Sequence, residues 1–169
     1  RDDLTDGGAE HWVKTIHLIR TQCPQMKIET LIPDFQGNTS LVKKICKAEP
    51  DVLAHNLETV ESLQSQLRPQ CRYIWSLNTL QTAAAEKNLI VKSSLMLGLG
   101  EKEEEVVRSM KDLVNVGCQI LSLGQYLRPS PRHLEVVEFI HPNKFSEYKK
   151  IGESLGFKHV EAGPLVRSS

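Results

Sequence analysis

The apolar residues of the chain fall into short strand-like runs that alternate with stretches of helical periodicity. The strand-like runs predict strands over residues 27–35, 51–58, 91–100, 120–127 and 157–165. The helical spacing predicts helices over residues 9–22, 40–48, 59–67, 77–87, 101–117 and 143–156. Such alternation indicates a parallel sheet whose strands are joined by right-handed helical crossovers.

Individual residues mark where several of these helices begin and end. Pro24 ends the first helix, because proline lacks the backbone N–H that a helix interior needs. Ser40 and Asn143 are the predicted N-caps of two later helices. Gly117 fits the position just past the end of the helix over 101–117.

Two architectures compete for this pattern, a doubly wound open sheet and part of a β/α barrel. The dinucleotide fingerprint G-x-G-x-x-G is missing, because Gly98-x-Gly100 is followed by Glu101. The next helix also opens with glutamates that would repel a phosphate at its N-terminus. The usual nucleotide-phosphate interpretations therefore fail at the place where they could apply.

Length and charge narrow the class of protein. A chain of 169 residues fits one domain. The 21 basic and 21 acidic side chains give no net charge, which disfavours a nucleic-acid partner. No apolar run approaches the roughly 18 residues that span a bilayer. Residue 1 is Arg and the first residues resemble a domain interior, so we expect one domain over 1–169 that is incomplete at its N-terminus.

The four cysteines are too widely spaced to predict a metal site. They are Cys23, Cys46, Cys71 and Cys118, and no C-x-x-C or C-x-x-x-C motif joins any of them. Such spacing is typical neither of a zinc site nor of an iron–sulfur site. We expect free thiols in a reducing compartment.

Polar residues gather where the predicted strands end. In parallel β/α folds the carboxyl ends of the strands carry the functional site. The residues at these ends are Asp34, Gln36, His55, Asn56, Glu58, Gly98, Gly100, Glu101, Gln125, Arg128, Ser130, Gly163, Arg167, Ser168 and Ser169. The histidines show no metal-ligand spacing, and His55 is predicted to be a hydrogen-bonding core residue.

The strings at these strand ends resemble those of the lipoyl synthase family of radical S-adenosylmethionine (SAM) enzymes. The matching strings are R-D-D-L-x-D-G-G-A-E-H (1–11), K-I-E-T-L-I-P-D-F-Q-G (27–37), D-V-L-A-H-N-L-E-T-V (51–60), K-S-S-L-M-L-G-L-G-E (92–101), L-S-L-G-Q-Y-L-R-P-S (121–130), R-H-L-E-V-V-E-F-I (132–140) and G-P-L-V-R-S-S (163–169). The resemblance runs from end to end, and the combination of H-N-L-E, L-G-Q-Y and a closing R-S-S is specific.

The resemblance implies an α/β fold, a partial (β/α)6 TIM-like barrel of the radical SAM type with about its last five strands present. It implies the insertion of two sulfur atoms at C6 and C8 of a protein-bound octanoyl-lysine. The implied cofactors are SAM and two 4Fe–4S clusters, one that binds SAM and an auxiliary one that donates sulfur. SAM is cleaved to methionine and a 5′-deoxyadenosyl radical, which abstracts hydrogen from an unactivated carbon.

The resemblance also implies partners and a compartment. The substrates are octanoylated lipoyl-carrier domains, namely dehydrogenase E2 subunits and the glycine cleavage H protein. Electrons come from a reductase such as ferredoxin or flavodoxin. The compartment is the cytoplasm if the source is bacterial, which is favoured, and the mitochondrial or plastid matrix if it is eukaryotic.

Six residues match positions that hold SAM or face the substrate, namely Asn56, Glu58, Gly98, Gly100, Gln125 and Arg128. Asn56 and Glu58 match residues that hydrogen-bond the ribose and amino-acid parts of SAM, and their spacing places both on one face of a strand. Gly98 and Gly100 match glycines that let the backbone approach adenine. Gln125 and Arg128 are candidates for the SAM carboxylate or for the substrate side.

The cluster ligands are where this chain departs from the family. The family's two cysteine motifs lie upstream of residue 1, so none of the four cysteines is assigned as a ligand. By the resemblance, Ser169 of the closing R-S-S completes the auxiliary cluster, with Ser168 as the alternative. We therefore expect the 169-residue chain alone to be inactive.

Two other functions stay open beside the enzyme. The chain could be a non-catalytic fragment or degenerate homologue that acts only as a β/α binding module. Asn56, Glu58 and Ser169 occur together, which favours the enzyme. Biotin synthase shares an H-N-L-[DE] strand but does not explain the closing R-S-S.

Overall fold

The structure is a computed structural model that describes residues 4–167. The strands are β1 (Glu29–Leu31), β2 (Val52–Ala54), β3 (Ile90–Leu97), β4 (Ile120–Gln125) and β5 (His159–Gly163). The helices are α1 (Ala9–Gln22), α2 (Thr39–Cys46), α3 (Gln64–Leu67), α4 (Tyr73–Ala84), α5 (Glu103–Asn115) and α6 (Pro142–Leu155). Short 3-10 turns cover Phe35–Gly37 and Glu61–Leu63. Within the described range, no helix has the length and apolarity needed to cross a bilayer.

The strands lie side by side in the order in which they occur in the chain. Each pairs in parallel with the next, giving the order β1-β2-β3-β4-β5. In a doubly wound sheet the strand order reverses part-way, and helices then cover both faces. When each right-handed crossover instead adds the next strand on the same side, the helices all lie on one face of the sheet. The larger helices accordingly contact one another in succession, α1 with α2, α2 with α4, α4 with α5 and α5 with α6. The α/β fold is an arc of a β/α barrel, which confirms the expected partial barrel.

The two faces of the sheet differ in polarity. On the helix side, Leu95 pairs with Leu123 and Leu121 with Val160, and all four side chains are buried. Each such side chain contributes about 1.5–3 kcal/mol on burial. The opposite, concave face carries polar residues that include Lys92, whose Nζ lies 2.8 Å from Glu29 Oε1 across β2. The core therefore lies between sheet and helices, and the concave face is left for polar chemistry.

Several predicted boundaries are corrected by where the capping hydrogen bonds lie. Ser40 and Asn143 are not the N-caps, because Oδ1 of Asn38 accepts from the backbone N of Ser40 and Nδ1 of His141 accepts from that of Asn143, each at 3.2 Å. Pro142 then occupies the first helical position, where its missing N–H costs nothing. The predicted boundaries of α1 and the place of Gly117, with φ +88°, are confirmed.

Other predicted elements are shorter, shifted or divided. β1 and β2 each have three residues instead of the nine and eight of the predicted runs 27–35 and 51–58. The predicted helix over 59–67 is a 3-10 turn followed by the single turn α3, and α4 begins at Tyr73 instead of 77. The apolar runs extend into the loops because loop residues such as Ile32 and Leu57 are also buried.

His55 joins the end of β2 to two neighbouring elements. Its side chain is 2% exposed, and Nδ1 lies 2.8 Å from the carbonyl oxygen of Ile32 while Nε2 lies 2.9 Å from Ser76 Oγ. A carbonyl only accepts, so Nδ1–H donates to it, and the neutral ring accepts from the Ser76 hydroxyl at Nε2. Burial lowers the pKa of His55. The prediction of a hydrogen-bonding core histidine is confirmed.

The lowered pKa of His55 predicts that acid destabilises the fold. The unfolded chain gains a proton on this ring near pH 6.5, whereas the folded chain resists it, so the unfolding free energy should fall as pH drops below about 6.5. His55→Asn should be less stable at neutral pH but should lose less further stability on acidification. Urea unfolding at about pH 7.5 and about pH 5.5 measures both.

The control for this prediction is His17→Asn, since His17 is exposed on α1. It should show the same acid destabilisation as the unsubstituted chain. If His55→Asn lost stability with acid as steeply as the control does, His55 would not be the group responsible.

Candidate functional site

A cavity of about 480 Å³ opens at the carboxyl ends of β2 to β5. We call it the main cavity. The polar side chains that line it include Asn56, Glu58, Ser94, Ser122, Arg132 and Arg167. They come from four segments that follow or belong to different strands. Of the strand-end residues expected from the sequence, Asn56, Glu58, Gln125 and Arg167 line this cavity together.

Asn56 and Glu58 are brought together by an irregular stretch after β2. Ala54 pairs with Lys92, whereas Glu58 pairs with Leu95, so the β2 side holds one extra residue, as in a β-bulge. Glu58 has a left-handed φ of +71°, which few residues other than glycine adopt. The Asn56 side chain hydrogen-bonds the Glu58 carboxylate. The predicted pair thus shares the main cavity, but a bulge places it there instead of plain strand alternation.

Glu58 is half-buried, and its ionisation is balanced by opposing effects. Burial raises the pKa of its carboxyl group, while the hydrogen bond from Asn56 and the charge of Arg68 lower it. Arg68 is itself fixed by a hydrogen bond from Nη1 to the carbonyl oxygen of Asn56 at 3.3 Å. A carboxylate and an amide held in this way can accept from and donate to neighbouring ligand hydroxyl groups.

Ser94 and Ser122 form the floor of the main cavity. They are direct partners in the pairing of β3 with β4, and both are 5% exposed. Sequence reasoning did not single them out, because serines within apolar strands carry no strand-end signal. Their alternation with Leu95 and Leu123, which face the helices, is the pattern that could have revealed them.

Gln125 lines the main cavity, but its amide is fully engaged with backbone. Nε2 donates to the carbonyl oxygen of Glu138 at 3.0 Å, and Oε1 accepts from the backbone N of Ile140 at 2.9 Å. It thereby fixes the segment over residues 127–140, which contains no helix or strand and which we call the cavity loop. The predicted role of Gln125 toward SAM stays a prediction, and the hydrogen bonds give it a structural role.

Gly98 and Gly100 follow β3 outside the lining of the main cavity. Both have φ of +101°, and a Cβ on Gly98 would lie 2.3 Å from the carbonyl oxygen of Glu138. The Glu101 carboxylate accepts from the backbone N of Gly98 at 2.6 Å and of Leu99 at 2.9 Å. The turn and the close approach of the cavity loop require glycine here. The predicted approach to adenine stays a prediction.

Arg128 is directed at the cavity loop itself. Its Nε donates to the carbonyl oxygen of His133 at 2.9 Å and its Nη2 to that of Pro131 at 2.5 Å. Arg132 and Arg167 line the main cavity instead. Arg132 belongs to the string R-H-L-E and Arg167 to the string R-S-S. Sequence alone does not show that Arg128, and not one of these two, hydrogen-bonds its own loop.

The described cysteines do not fit an iron–sulfur cluster. Burial raises the pKa of Cys46 to about 11 and that of Cys118 to about 12, which opposes the thiolate form that binds iron. Among residues 4–167, no three His, Cys, Asp or Glu side chains converge on a possible metal position. Ser169 and Ser168, the predicted cluster ligand and its alternative, lie outside the described residues.

Gly98→Ala should destabilise the protein through both backbone strain and a steric clash. The clash with Glu138 forces the cavity loop away, so we expect a loss of about 2–4 kcal/mol in urea unfolding. Gly156→Ala is the matched control, because Gly156 has φ of +108° but nothing within 4 Å of its Cβ position. It should cost only about 1 kcal/mol.

Limited proteolysis of the cavity loop provides a second readout for this pair. Cleavage within residues 127–140 should accelerate in Gly98→Ala and not in Gly156→Ala. If Gly98→Ala and Gly156→Ala lost equal stability and were cleaved at equal rates, Gly98 would be required only for its backbone conformation.

Comparison with known proteins assigns the chain to a family. It is 51% identical to the lipoyl synthase of Caldanaerobacter subterraneus subsp. tengcongensis, 48% identical to that of Treponema denticola and 49% identical to the mitochondrial lipoyl synthase of Schistosoma mansoni. Each match covers all of this chain but only 60%, 58% and 44% of the respective relative. The chain thus spans about half the length of these curated relatives. No family model matches it.

A solved structure supports the fold independently. Methylornithine synthase superposes on 95% of this chain with a TM-score of 0.69, and the match covers 54% of that protein. At 12% identity this likeness bears on the fold alone. Because about half of its residues are identical to those of the lipoyl synthases along its whole length, the chain belongs to the lipoyl synthase family.

Proposed function

We propose that this chain forms the SAM-binding and substrate-facing part of a lipoyl synthase. That enzyme inserts two sulfur atoms at C6 and C8 of a protein-bound octanoyl-lysine. The single observation that supports the proposal best is the main cavity, where Asn56 and Glu58 meet at the strand ends beside two arginines. The reaction is proposed from the family membership, and the main cavity is the proposed binding site for SAM and the substrate.

Asn56 and Glu58 are the proposed contacts of the SAM ribose. A ribose offers adjacent hydroxyl groups, and a carboxylate with a neighbouring amide can bind such a pair. Bound SAM supplies radical chemistry able to abstract hydrogen from an unactivated carbon. The residues of this chain orient it and exclude water, with apolar lining from Leu67, Met96 and Leu127.

Arg132 and Arg167 are the proposed contacts on the substrate side. Both are exposed at the main cavity, whereas Arg128 is engaged with the cavity loop. The substrates proposed are octanoylated lipoyl-carrier domains, such as dehydrogenase E2 subunits and the glycine cleavage H protein. A guanidinium fork would bind a carboxylate or a backbone carbonyl of such a domain.

The iron–sulfur chemistry is proposed from family membership alone. The described residues offer no set of ligands for a cluster. Two 4Fe–4S clusters, an electron donor such as ferredoxin or flavodoxin, and Ser169 or Ser168 as an auxiliary ligand belong to this part of the proposal. The relatives come from bacteria and mitochondria, so the proposed compartment is the bacterial cytoplasm or an organelle matrix.

Asn56→Ala and Glu58→Gln should weaken SAM binding in a complete lipoyl synthase that contains this sequence. Each removes a hydrogen bond that involves a charged group in a partly desolvated site, so we expect a loss of about ten- to a hundredfold in affinity. Calorimetry on the anaerobically reconstituted enzyme measures it. Glu153→Gln is the control and should bind SAM normally, because Glu153 is exposed on α6 and does not line the main cavity.

Three other outcomes would change the assignment. Unchanged SAM affinity with lost sulfur insertion would place Asn56 and Glu58 at the substrate. Normal SAM affinity and normal product in both variants would remove them from the site. A complete protein that binds no SAM would favour the non-catalytic binding module.

Arg132→Ala and Arg128→Ala should have different effects in the same enzyme. Arg132→Ala should raise the KM for the octanoylated carrier domain about tenfold and leave SAM affinity intact, since it removes a contact to the substrate. Arg128→Ala should instead loosen the cavity loop and accelerate its proteolysis. Steady-state kinetics with each variant tests this, and an unchanged KM for Arg132→Ala would exclude it from the substrate contact.

A further inference from the structure

His133 lies at the rim of the main cavity, on a turn of the cavity loop. It is exposed and also lines the cavity. The turn is closed by the backbone N of His133, which donates to the carbonyl oxygen of Ser130 at 3.0 Å. Arg128 holds the same turn, because it donates to the carbonyl oxygens of Pro131 and His133. The backbone that carries the imidazole ring is therefore fixed by several hydrogen bonds.

The Ser130 hydroxyl determines which ring nitrogen of His133 is left for a ligand. Its Oγ lies 2.9 Å from His133 Nδ1 and accepts from the backbone N of Arg132 at 3.4 Å. If Nδ1 carried the ring hydrogen, no hydrogen bond within residues 4–167 would give the Ser130 hydroxyl an acceptor. When the hydroxyl instead donates to Nδ1, the ring hydrogen is on Nε2.

Nε2 of His133 is thus a hydrogen-bond donor at the cavity rim. None of the hydrogen bonds found within residues 4–167 uses this nitrogen. A protonated ring would carry hydrogen on both nitrogens, so Nε2 would be a donor in that form as well. The turn therefore presents a donor to the main cavity in either protonation state.

The side chains beside His133 indicate the kind of ligand that this donor suits. Apart from Arg132 and His133, the residues that the cavity loop contributes to the lining are apolar, namely Leu127, Pro129 and Leu134. An alkyl chain can pack on these side chains, and a single N–H can pair with one neutral acceptor in such a chain. A guanidinium is less suited to that acceptor, because its charge is costly to remove from water beside an alkyl chain.

We propose that Nε2–H of His133 donates to the amide carbonyl oxygen of octanoyl-lysine and thereby sets the depth to which the acyl chain enters the main cavity. This inference rests on the proposed function. The amide joins the acyl chain to the carrier lysine, and C6 and C8 each lie at a fixed number of bonds from it. An amide held at the rim therefore fixes the depth of both carbons, and Ser130 is the positioning residue that orients the ring.

A substrate that is one carbon longer tests whether the chain is positioned from its amide. With a nonanoyl-lysine carrier domain, a complete lipoyl synthase that contains this sequence should still insert sulfur at C6 and C8, counted from the carbonyl carbon. Mass spectrometry of the product locates the sulfur atoms. Insertion at C7 and C9, or no insertion, would show that the methyl end positions the chain and would overturn the proposal.

His133→Leu removes the donor and keeps the backbone hydrogen bonds of the turn. Without a reductant no reaction occurs, and calorimetry should then show about three- to tenfold weaker binding of an octanoyl-lysine peptide. During turnover, more 5′-deoxyadenosine should form for each sulfur inserted, because C6 and C8 are less well placed. His133→Gln keeps a side-chain N–H and should restore most of both properties.

Two further variants separate the ring from its surroundings. Ser130→Ala removes the hydrogen bond to Nδ1 and should weaken peptide binding less than His133→Leu does. His17→Leu is the matched control, because His17 is exposed on α1 and does not line the main cavity, and it should bind the peptide normally. SAM affinity should be unchanged in all of these variants.

Three results with the variants would overturn the proposal. They are normal peptide binding by His133→Leu, equally weak binding by His133→Leu and His133→Gln, and weaker SAM binding by His133→Leu, which would place the ring at SAM. The comparison of Gln with Leu isolates the donor even if the loop is perturbed in both. Failure of the proposed function would appear separately, as an unsubstituted enzyme that neither binds SAM nor inserts sulfur.

Discussion

The winding of the sheet in one direction is the constraint on which the other features depend. Because the strands pair in chain order and in parallel, every loop that follows a strand emerges at the same edge. Over residues 4–167, the concave face is free of helices for the same reason. The direct pairing of Ser94 with Ser122 then sets a polar floor, and Glu58 and Arg132 reach its rim from loops that are far apart in sequence. If the strand order reversed part-way, as in a doubly wound sheet, these side chains would no longer line one cavity.

The backbone at this edge is irregular, and side chains supply the hydrogen bonds that the sheet no longer provides. Glu101 accepts from two backbone N–H groups after β3, and Gln125 joins the strand β4 to the cavity loop. His55 bonds the carbonyl of Ile32 and thereby ties the end of β2 to the segment after β1. Polar residues at strand ends thus divide between those that complete the backbone and those that face a cavity.

That division explains what the sequence could and could not predict. Alternating periodicity was enough for the order of strands and helices, because that order depends on residues close together in the chain. It left a doubly wound sheet and a β/α barrel open, and only the family resemblance implied the barrel that the strand order shows. The bulge that brings Asn56 to Glu58 was not visible, since it depends on pairing with β3. The sequence also did not distinguish the surroundings of Arg128, Arg132 and Arg167, and the predicted role of Arg128 stays a prediction. Each follows a strand, and only the fold shows where its hydrogen bonds go.

Arg68 acts on the main cavity from outside its lining, through its charge. The charge of Arg68 lowers the pKa of Glu58, against the burial that raises it. Loss of this positive charge would favour the protonated form of Glu58. A protonated carboxyl group donates one hydrogen bond, whereas a carboxylate only accepts. The charge of Arg68 therefore favours the form of Glu58 that accepts hydrogen bonds from ligand hydroxyl groups.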